Sequence, residues 1–362
     1  MGHSKKIFLA FSSQDIEQTE SIFEIQDGYE CWNLKKFTFD TFIEAIKAKI
    51  PPINGNVLRH YKAEAETHDL FTITERQFKE CTWGLLIPDG LDDVITTSYS
   101  EVEFLINLYS PTFLYPFFIV GDMGIMSRTE NRKNIMTISH FQNQSNIFKK
   151  KDFVSFFKML LPQSQYSSWQ LDRVQKWQKE DWRLFVASYF FYGLRKYDNS
   201  KSAFGWQRES ADIAASLEAL FTADDSKNEE ISYRLRKRIA VLLSSRFPSI
   251  EKDISNLYAQ RSAFVHGSFF AQIAKSGARD FNDLPSPDFN ELYKQKEYLR
   301  LALVGYLHLA QLIKSKPTDF GNTKNVMRIL EQAIIDIALR QKLTAETERI
   351  FSLMPTPSLK LI

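Results

Sequence analysis

Leu257-Tyr258-Ala259-Gln260-Arg261-Ser262-Ala263-Phe264-Val265-His266-Gly267 reads as the closing turns of a helix that starts near Ile250 and ends around Gly267. Helical periodicity continues on both sides of it. Upstream, Leu235, Ile239, Leu242 and Leu243 form the apolar stripe of a helix from about Ile231 to Ser245, which Pro248 closes off. Before that, Ile213, Leu217, Leu220 and Phe221 are the inward face of a helix over Arg208 to Phe221. Leu171, Val174, Trp177, Phe185 and Phe191 keep a helical period through Trp169 to Tyr197, until Asp198-Asn199-Ser200 breaks it. Downstream, a polar loop over Lys275 to Pro287 precedes two more expected helices, Asn290 to Ile313 and Lys324 to Leu343. The tail Met354-Pro355-Thr356-Pro357 cannot extend the last of them. No strand pattern interrupts this series, so residues 166–362 are expected to form an all-helical bundle.

The first part of the chain has a different texture. Short runs rich in aromatic and β-branched residues predict strands at Lys6 to Phe11, Phe37 to Phe39, Leu70 to Thr74 and Gly84 to Ile87, the last followed by a Pro88-Asp89-Gly90 turn. Ser100 and Glu103 form a capping box ahead of Val102, Leu105, Ile106 and Tyr109, which marks a helix start. Phe113 to Val120 is a further strand, weakened by Pro116 and ended by Gly121-Asp122-Met123-Gly124. A stretch rich in Asn, Gln, Ser and Lys from Phe141 to Ser168, with a short helix at Phe153 to Leu161, separates the two regions. The expected class is therefore α+β: a mixed α/β domain over residues 1–165, then the helical domain.

Composition narrows the function. The 46 Lys and Arg against 44 Asp and Glu leave no global basic field, so any contact with nucleic acid must be local. Cys31 and Cys81 stand far apart and form no CxxC motif, which argues against a disulfide framework and a thiolate zinc site. His60, His68, His140 and His308 have no second ligand at metal spacing. Asp122, Asp92 and Asp93 are read as ordinary turn acids, and no metal or other cofactor is expected. Neither a Walker loop nor a GxGxxG motif occurs. The apolar run Ile7 to Phe11 is too short for a signal-peptide core, and Phe104 to Val120 is interrupted by Asn107, Pro111 and Pro116, so a cytoplasmic chain with no membrane partner is expected.

Three ordered blocks carry a family resemblance. They are Ser216-Leu217-Glu218-Ala219-Leu220-Phe221, then Ile231-Ser232-Tyr233-Arg234 through Arg238-Ile239-Ala240-Val241-Leu242-Leu243, then the R-x4-H motif of Arg261 and His266, preceded by Tyr258 and followed by Gly267. Over about Arg208 to Gly267 the chain resembles the Apea-like HEPN family of helical domains. The resemblance implies a metal-independent RNA endonuclease, often a toxin or antiviral effector, in which the R-x4-H motifs of two subunits meet at a homodimer interface.

The residue chemistry agrees with that implication. Attack of a ribose 2′-hydroxyl on its adjacent phosphate needs a group that exchanges a proton near neutral pH, which is the role of His266. Charge gathering on the phosphate oxygens needs a permanent, fork-shaped cation, which is the role of Arg261. Residues five apart on an ideal helix are turned by about 140°. Arg261 and His266 therefore do not share a face, and a two-fold axis that brings one chain's arginine to its mate's histidine is one solution.

Each assignment has an ordinary rival. Arg261 is otherwise an ion-pair partner of Asp253 or Glu218, and Glu218 either orients Arg261 or pairs with Arg234 or Arg238. Tyr258 and Ser262 pack or hydrogen-bond within the site. Arg234, Lys237 and Arg238, with Arg236, either hold RNA phosphates or form the solvated side of a helix. At the level of the whole protein the rivals are a HEPN module that binds nucleic acid or a protein partner without cutting, and an activity housed in the first domain. That domain is otherwise expected to take an activating ligand or partner.

Overall fold

The computed structural model describes residues 5–12, 16–17, 20–26, 29–49, 78–79, 83–88, 105, 108–109, 114–121, 124–127, 148–164, 205–222, 230–268, 289–321 and 325–355. The chain gathers into two compact units, Met1–Leu161 with Met354–Ser358, and Pro162–Leu353 with Leu359–Ile362. The class is α+β. The expected strand Leu70 to Thr74, the capping box at Ser100 and Glu103, the helix Trp169 to Tyr197 and the loop Lys275 to Pro287 lie outside the described residues, as do Cys81, Asp92, Asp93, Asp122, His60, His68 and His140.

The first unit is built on a six-stranded antiparallel sheet of order β3-β4-β5-β1-β6-β7. Its strands are β1 (Lys5–Ser12), β3 (Ile22–Gln26), β4 (Tyr29–Asn33), β5 (Trp83–Pro88), β6 (Leu114–Gly121) and β7 (Gly124–Ser127). A separate parallel pair joins β2 (Ile16–Glu17) to β8 (Phe148–Lys149). Pro116 is tolerated inside β6 because the register slips there: Leu9 faces Phe118 and Ala10 faces Pro116. A bulge is where a residue without an N–H does least harm to a ladder.

The strand expected at Phe37 to Phe39 does not form. Leu34–Lys36 makes a 3-10 turn and helix α1 (Phe39–Lys49) follows. Thr38 and Thr41 explain the switch: Thr41 N–H donates to Thr38 Oγ1 at 3.2 Å and Thr38 N–H donates to Thr41 Oγ1 at 2.9 Å, a reciprocal cap that starts a helix. The aromatic residues that suggested a strand instead feed a core of Trp32, Leu34, Phe42, Ile46, Phe78 and Leu86, with Phe37 stacked on Trp32. Helix α2 (Lys150–Ser164) buries Phe153, Phe156, Phe157 and Leu160, and Tyr109 meets Phe153 and Phe156 edge to face.

The second unit contains α3 (Gly205–Thr222), α4 (Ile231–Leu243), α5 (Ile250–Val265), α6 (Phe289–Ser315), α7 (Val326–Ile335) and α8 (Ile337–Phe351). Every residue of α6 from 297 to 309 is buried, so this helix is the axis of the unit, with α3, α4, α7 and α8 packed on it. At Gly305 a Cβ would sit 3.4 Å from Leu242 and 3.6 Å from Phe351, which lets α4 and α8 approach closely. Helix α5 lies against α3 and α4, and its fully buried side chains are only Ile250, Ile254 and Leu257. Among the described residues, no helix is long and apolar enough to cross a membrane.

The single helix expected over Lys324 to Leu343 is two. Asp336 has an extended backbone (φ −93°, ψ 106°), and its side chain accepts a hydrogen bond from Leu339 N–H. It ends α7 and caps α8, and Arg340 donates to the Ala333 and Ile334 carbonyls that the break leaves open.

Helix α6 also places His308 in the core, 2 % exposed, with Nε2 3.6 Å from Glu346 Oε2. Burial and the Arg349 cation lower its pKa to about 4 against the opposing pull of Glu346. The folded chain thus keeps His308 neutral where the unfolded chain is protonated, so its contribution is intact above pH ~6.5 and is lost between ~6.5 and ~4. We expect urea unfolding at pH 7 and pH 4.5 to differ by about 2 kcal/mol more in the parent than in His308→Gln. An equal loss in both proteins would remove His308 from the account.

Candidate functional site

The spacing of α5 explains what Arg261 does. Ile250, Ile254 and Leu257 form its buried stripe, and the next position in the same four-three-four rhythm is Arg261. A guanidinium here replaces the apolar side chain that would continue the core. It stays 28 % exposed and turns to α3, where Nη2 lies 3.5 Å from Glu218 Oε2. Glu218 is the partner, and of the two acids considered for Arg261 it is the one engaged.

Asp253 is committed elsewhere. It accepts from Ser249 Oγ at 2.8 Å, meets Lys294 Nζ at 2.9 Å and receives the Tyr298 hydroxyl, tying the first turn of α5 to α6. Burial pushes the Asp253 carboxyl up, but Tyr298, Lys294 and Ser249 together outweigh it and hold the group below the usual carboxylate range. A second tie lies at the residue before Arg261: Ser210 Oγ donates to Gln295 Oε1 at 2.8 Å, and Gln295 Nε2 donates to Gln260 Oε1 at 3.2 Å. Helix α5 is thereby held at both ends by polar bridges to α6.

Glu218 is poised between two influences. Burial raises its pKa, and Arg261 pulls it back by a smaller amount. Its Oε2 is the oxygen nearest the guanidinium, and its Oε1 is buried with no hydrogen-bond partner among the described residues. The half-exposed ion pair contributes little to stability; its effect is on where the guanidinium points.

His266 is set apart from this pair. Helix α5 ends at Val265, with His266 as the cap residue at φ −88°, ψ 5° and Gly267 at φ +73°. The left-handed conformation at Gly267 costs an L side chain strain whatever the space around it, and nothing lies within 4 Å of where its Cβ would be. His266 N–H donates to Ser262 C=O at 3.0 Å, Gly267 N–H to Phe264 C=O at 3.2 Å, and Ser268 Oγ to Ala263 C=O at 3.2 Å. The Ser262, Ala263 and Phe264 carbonyls at the helix end are thus met by the chain's own donors, and the imidazole is left exposed beside Val265, itself 56 % exposed. Tyr258 and Ser262 are half-buried on the same helix. Among the described residues, no hydrogen bond or ion pair joins Arg261 to His266.

The basic set on α4 divides. Arg238, grouped by sequence with the phosphate-binding cations, is 3 % exposed and donates to the Phe221 carbonyl and to Glu331. It satisfies the C-terminal end of α3 and belongs to the core, where a polyanion does not reach it. Lys237 Nζ lies 2.8 Å from Glu251 Oε2. Arg234 is half-buried, and Arg236 places its guanidinium 5.4 Å from the Tyr233 ring. Tyr233, quoted above only within the family resemblance, is 42 % exposed.

Among the described residues, no group of three or more His, Cys, Asp or Glu side chains is gathered as for a metal ion. No protein-family model, curated protein or solved structure matches the chain.

Proposed function

We propose that this chain is a HEPN-type, metal-independent RNA endonuclease, acting in the cytoplasm as a toxin or phage-defence effector, with Arg261 and His266 as its catalytic pair. The observation that carries the proposal is the treatment of those two residues. An arginine is kept, half-buried and aimed by Glu218, at a position where the helix stripe calls for an apolar residue, and a histidine is presented to solvent at a helix end closed without it.

In the proposed reaction the ribose 2′-hydroxyl attacks the adjacent phosphorus as it loses its proton, and the bond from phosphorus to the 5′-oxygen breaks as that oxygen gains one. The products are a 2′,3′-cyclic phosphate and a 5′-hydroxyl. Arg261 supplies paired donors to the phosphate oxygens as charge builds on them. His266 moves the proton. The separation of Arg261 from His266 within a chain points to a site shared between two chains. We infer a homodimer in which the arginine of one subunit and the histidine of the other share a phosphate across a two-fold axis. Control by a ligand or partner at the first domain belongs to the same proposal.

The test is incubation of the purified chain with total RNA, tRNA and an all-deoxy strand of matched sequence, in EDTA, with product ends analysed. Cleavage of RNA to 2′,3′-cyclic phosphate ends, with the DNA untouched, is the expected outcome. Loss of cleavage in EDTA, or equal cutting of the deoxy strand, removes the 2′-hydroxyl mechanism. Binding of RNA by a dimer that never cuts it favours the non-catalytic module.

A further inference from the structure

Tyr233 stands on α4 with two cations beside its ring: the Arg236 guanidinium at 5.4 Å and Lys237 Nζ at 5.7 Å from the centroid. The ring is 42 % exposed. Lys237 is balanced by Glu251, whereas Arg236 has no acidic partner among the described residues, and its Nε is buried without a hydrogen bond. An exposed aromatic face flanked by an uncompensated guanidinium is the local chemistry that takes a nucleobase by stacking and its phosphate by charge.

The helix hairpin puts Tyr233 and Arg261 at similar heights. Helices α4 and α5 pack together and are joined by the short turn between Leu243 and Ile250, so they run in opposite directions. At 1.5 Å per residue, Tyr233 lies about 15 Å from the turn along α4, and Arg261 about 16 Å from it along α5. A strand whose phosphate sits at Arg261 therefore has a neighbouring base at the height of Tyr233.

We propose that Tyr233 is a base-stacking residue for single-stranded RNA, with Arg236 holding the adjoining phosphate. This rests on the reading of the chain as an RNA-cutting enzyme and adds a substrate requirement: an unpaired base beside the scissile phosphate, since bases buried in a duplex present no face to a side chain. Lys237 borders the same surface.

The experiment uses the full chain with His266→Ala, so that RNA survives, and titrates it into a fluorescein-labelled single-stranded RNA carrying one 2-aminopurine. In that background Tyr233→Ala is expected to weaken binding about tenfold and to abolish the quenching of 2-aminopurine, while Tyr233→Phe keeps both. Arg236→Ala is expected to weaken binding and to flatten its salt dependence, because one phosphate contact is lost. Binding and quenching unchanged in Tyr233→Ala overturn the inference, as does failure of the His266→Ala parent to bind the single strand. These readouts are independent of cutting. A chain that cuts RNA yet binds equally well with Tyr233→Ala keeps the nuclease and loses the stacking residue; one that never cuts but needs Tyr233 to bind loses the nuclease and keeps it.

Discussion

Under the proposed mechanism, His266→Ala is expected to lower the rate of RNA cleavage by about 10²- to 10⁴-fold, the usual worth of a positioned proton-transfer group, and to leave the fold intact. The fold is indifferent because the imidazole is exposed and the helix end is closed by backbone donors and Ser268, none of which the substitution touches. Arg261→Ala is expected to lose about 10²- to 10³-fold through a different property, the stabilisation of charge on the phosphate oxygens. Arg261→Lys recovers only part of this, since an ammonium keeps the charge and loses the paired donors. If the two residues act across a two-fold axis, a mixture of the two alanine variants regains part of the activity, because one of the two composite sites in each mixed dimer is then intact. Cleavage by either variant at the parental rate would separate the R-x4-H motif from the chemistry. A mixture as inactive as its components would place the pair within one chain.

Arg238→Ala produces the largest loss of stability, about 3 kcal/mol, read as a lower denaturant midpoint with an unchanged slope. Its guanidinium is 3 % exposed and is shared between the end of α3 and Glu331 on α7, so its removal leaves a buried carbonyl unsatisfied and a void behind it. Glu331 is half-exposed and returns to water, which keeps the loss from being greater. Arg236→Ala, two residues away, is expected to leave stability nearly unchanged. If Arg238→Ala unfolds no more easily than Arg236→Ala, the structural role given to Arg238 is wrong.

The two neighbouring arginines show where the sequence stops being readable. Arg234, Arg236, Lys237 and Arg238 alternate with apolar residues, and a helical wheel puts them beside the stripe without saying which one enters the core. The answer depends on Phe221 and Glu331, 17 and 93 residues from Arg238. The same holds for the sheet. Lys6 to Phe11 and Gly84 to Ile87 have the composition of strands and form β1 and β5, but Ile22–Gln26 and Tyr29–Asn33 went unread beside them. Strand pairing is a relation between distant segments, and burial on one face, more than intrinsic preference, selects it. At Phe37 to Phe39 the aromatic content suggested a strand, while the hydroxyls of Thr38 and Thr41 set a helix start one residue away.

What the sequence by itself determined is local: the helices α3, α4, α5 and α6 to within a few residues, the stop at Gly267, and the motif of Arg261 and His266 on one helix. Those features rest on a period of 3.6 residues and on caps, which act over a turn or two. The tertiary structure decided the rest: that Arg261 meets Glu218 and not Asp253, that Arg238 is a core residue, that Tyr233 faces outward, and that Asp336 splits the last helix in two. Each of these is a choice among partners that local pattern leaves equal, and only packing around the buried axis of α6 makes one of them lower in free energy.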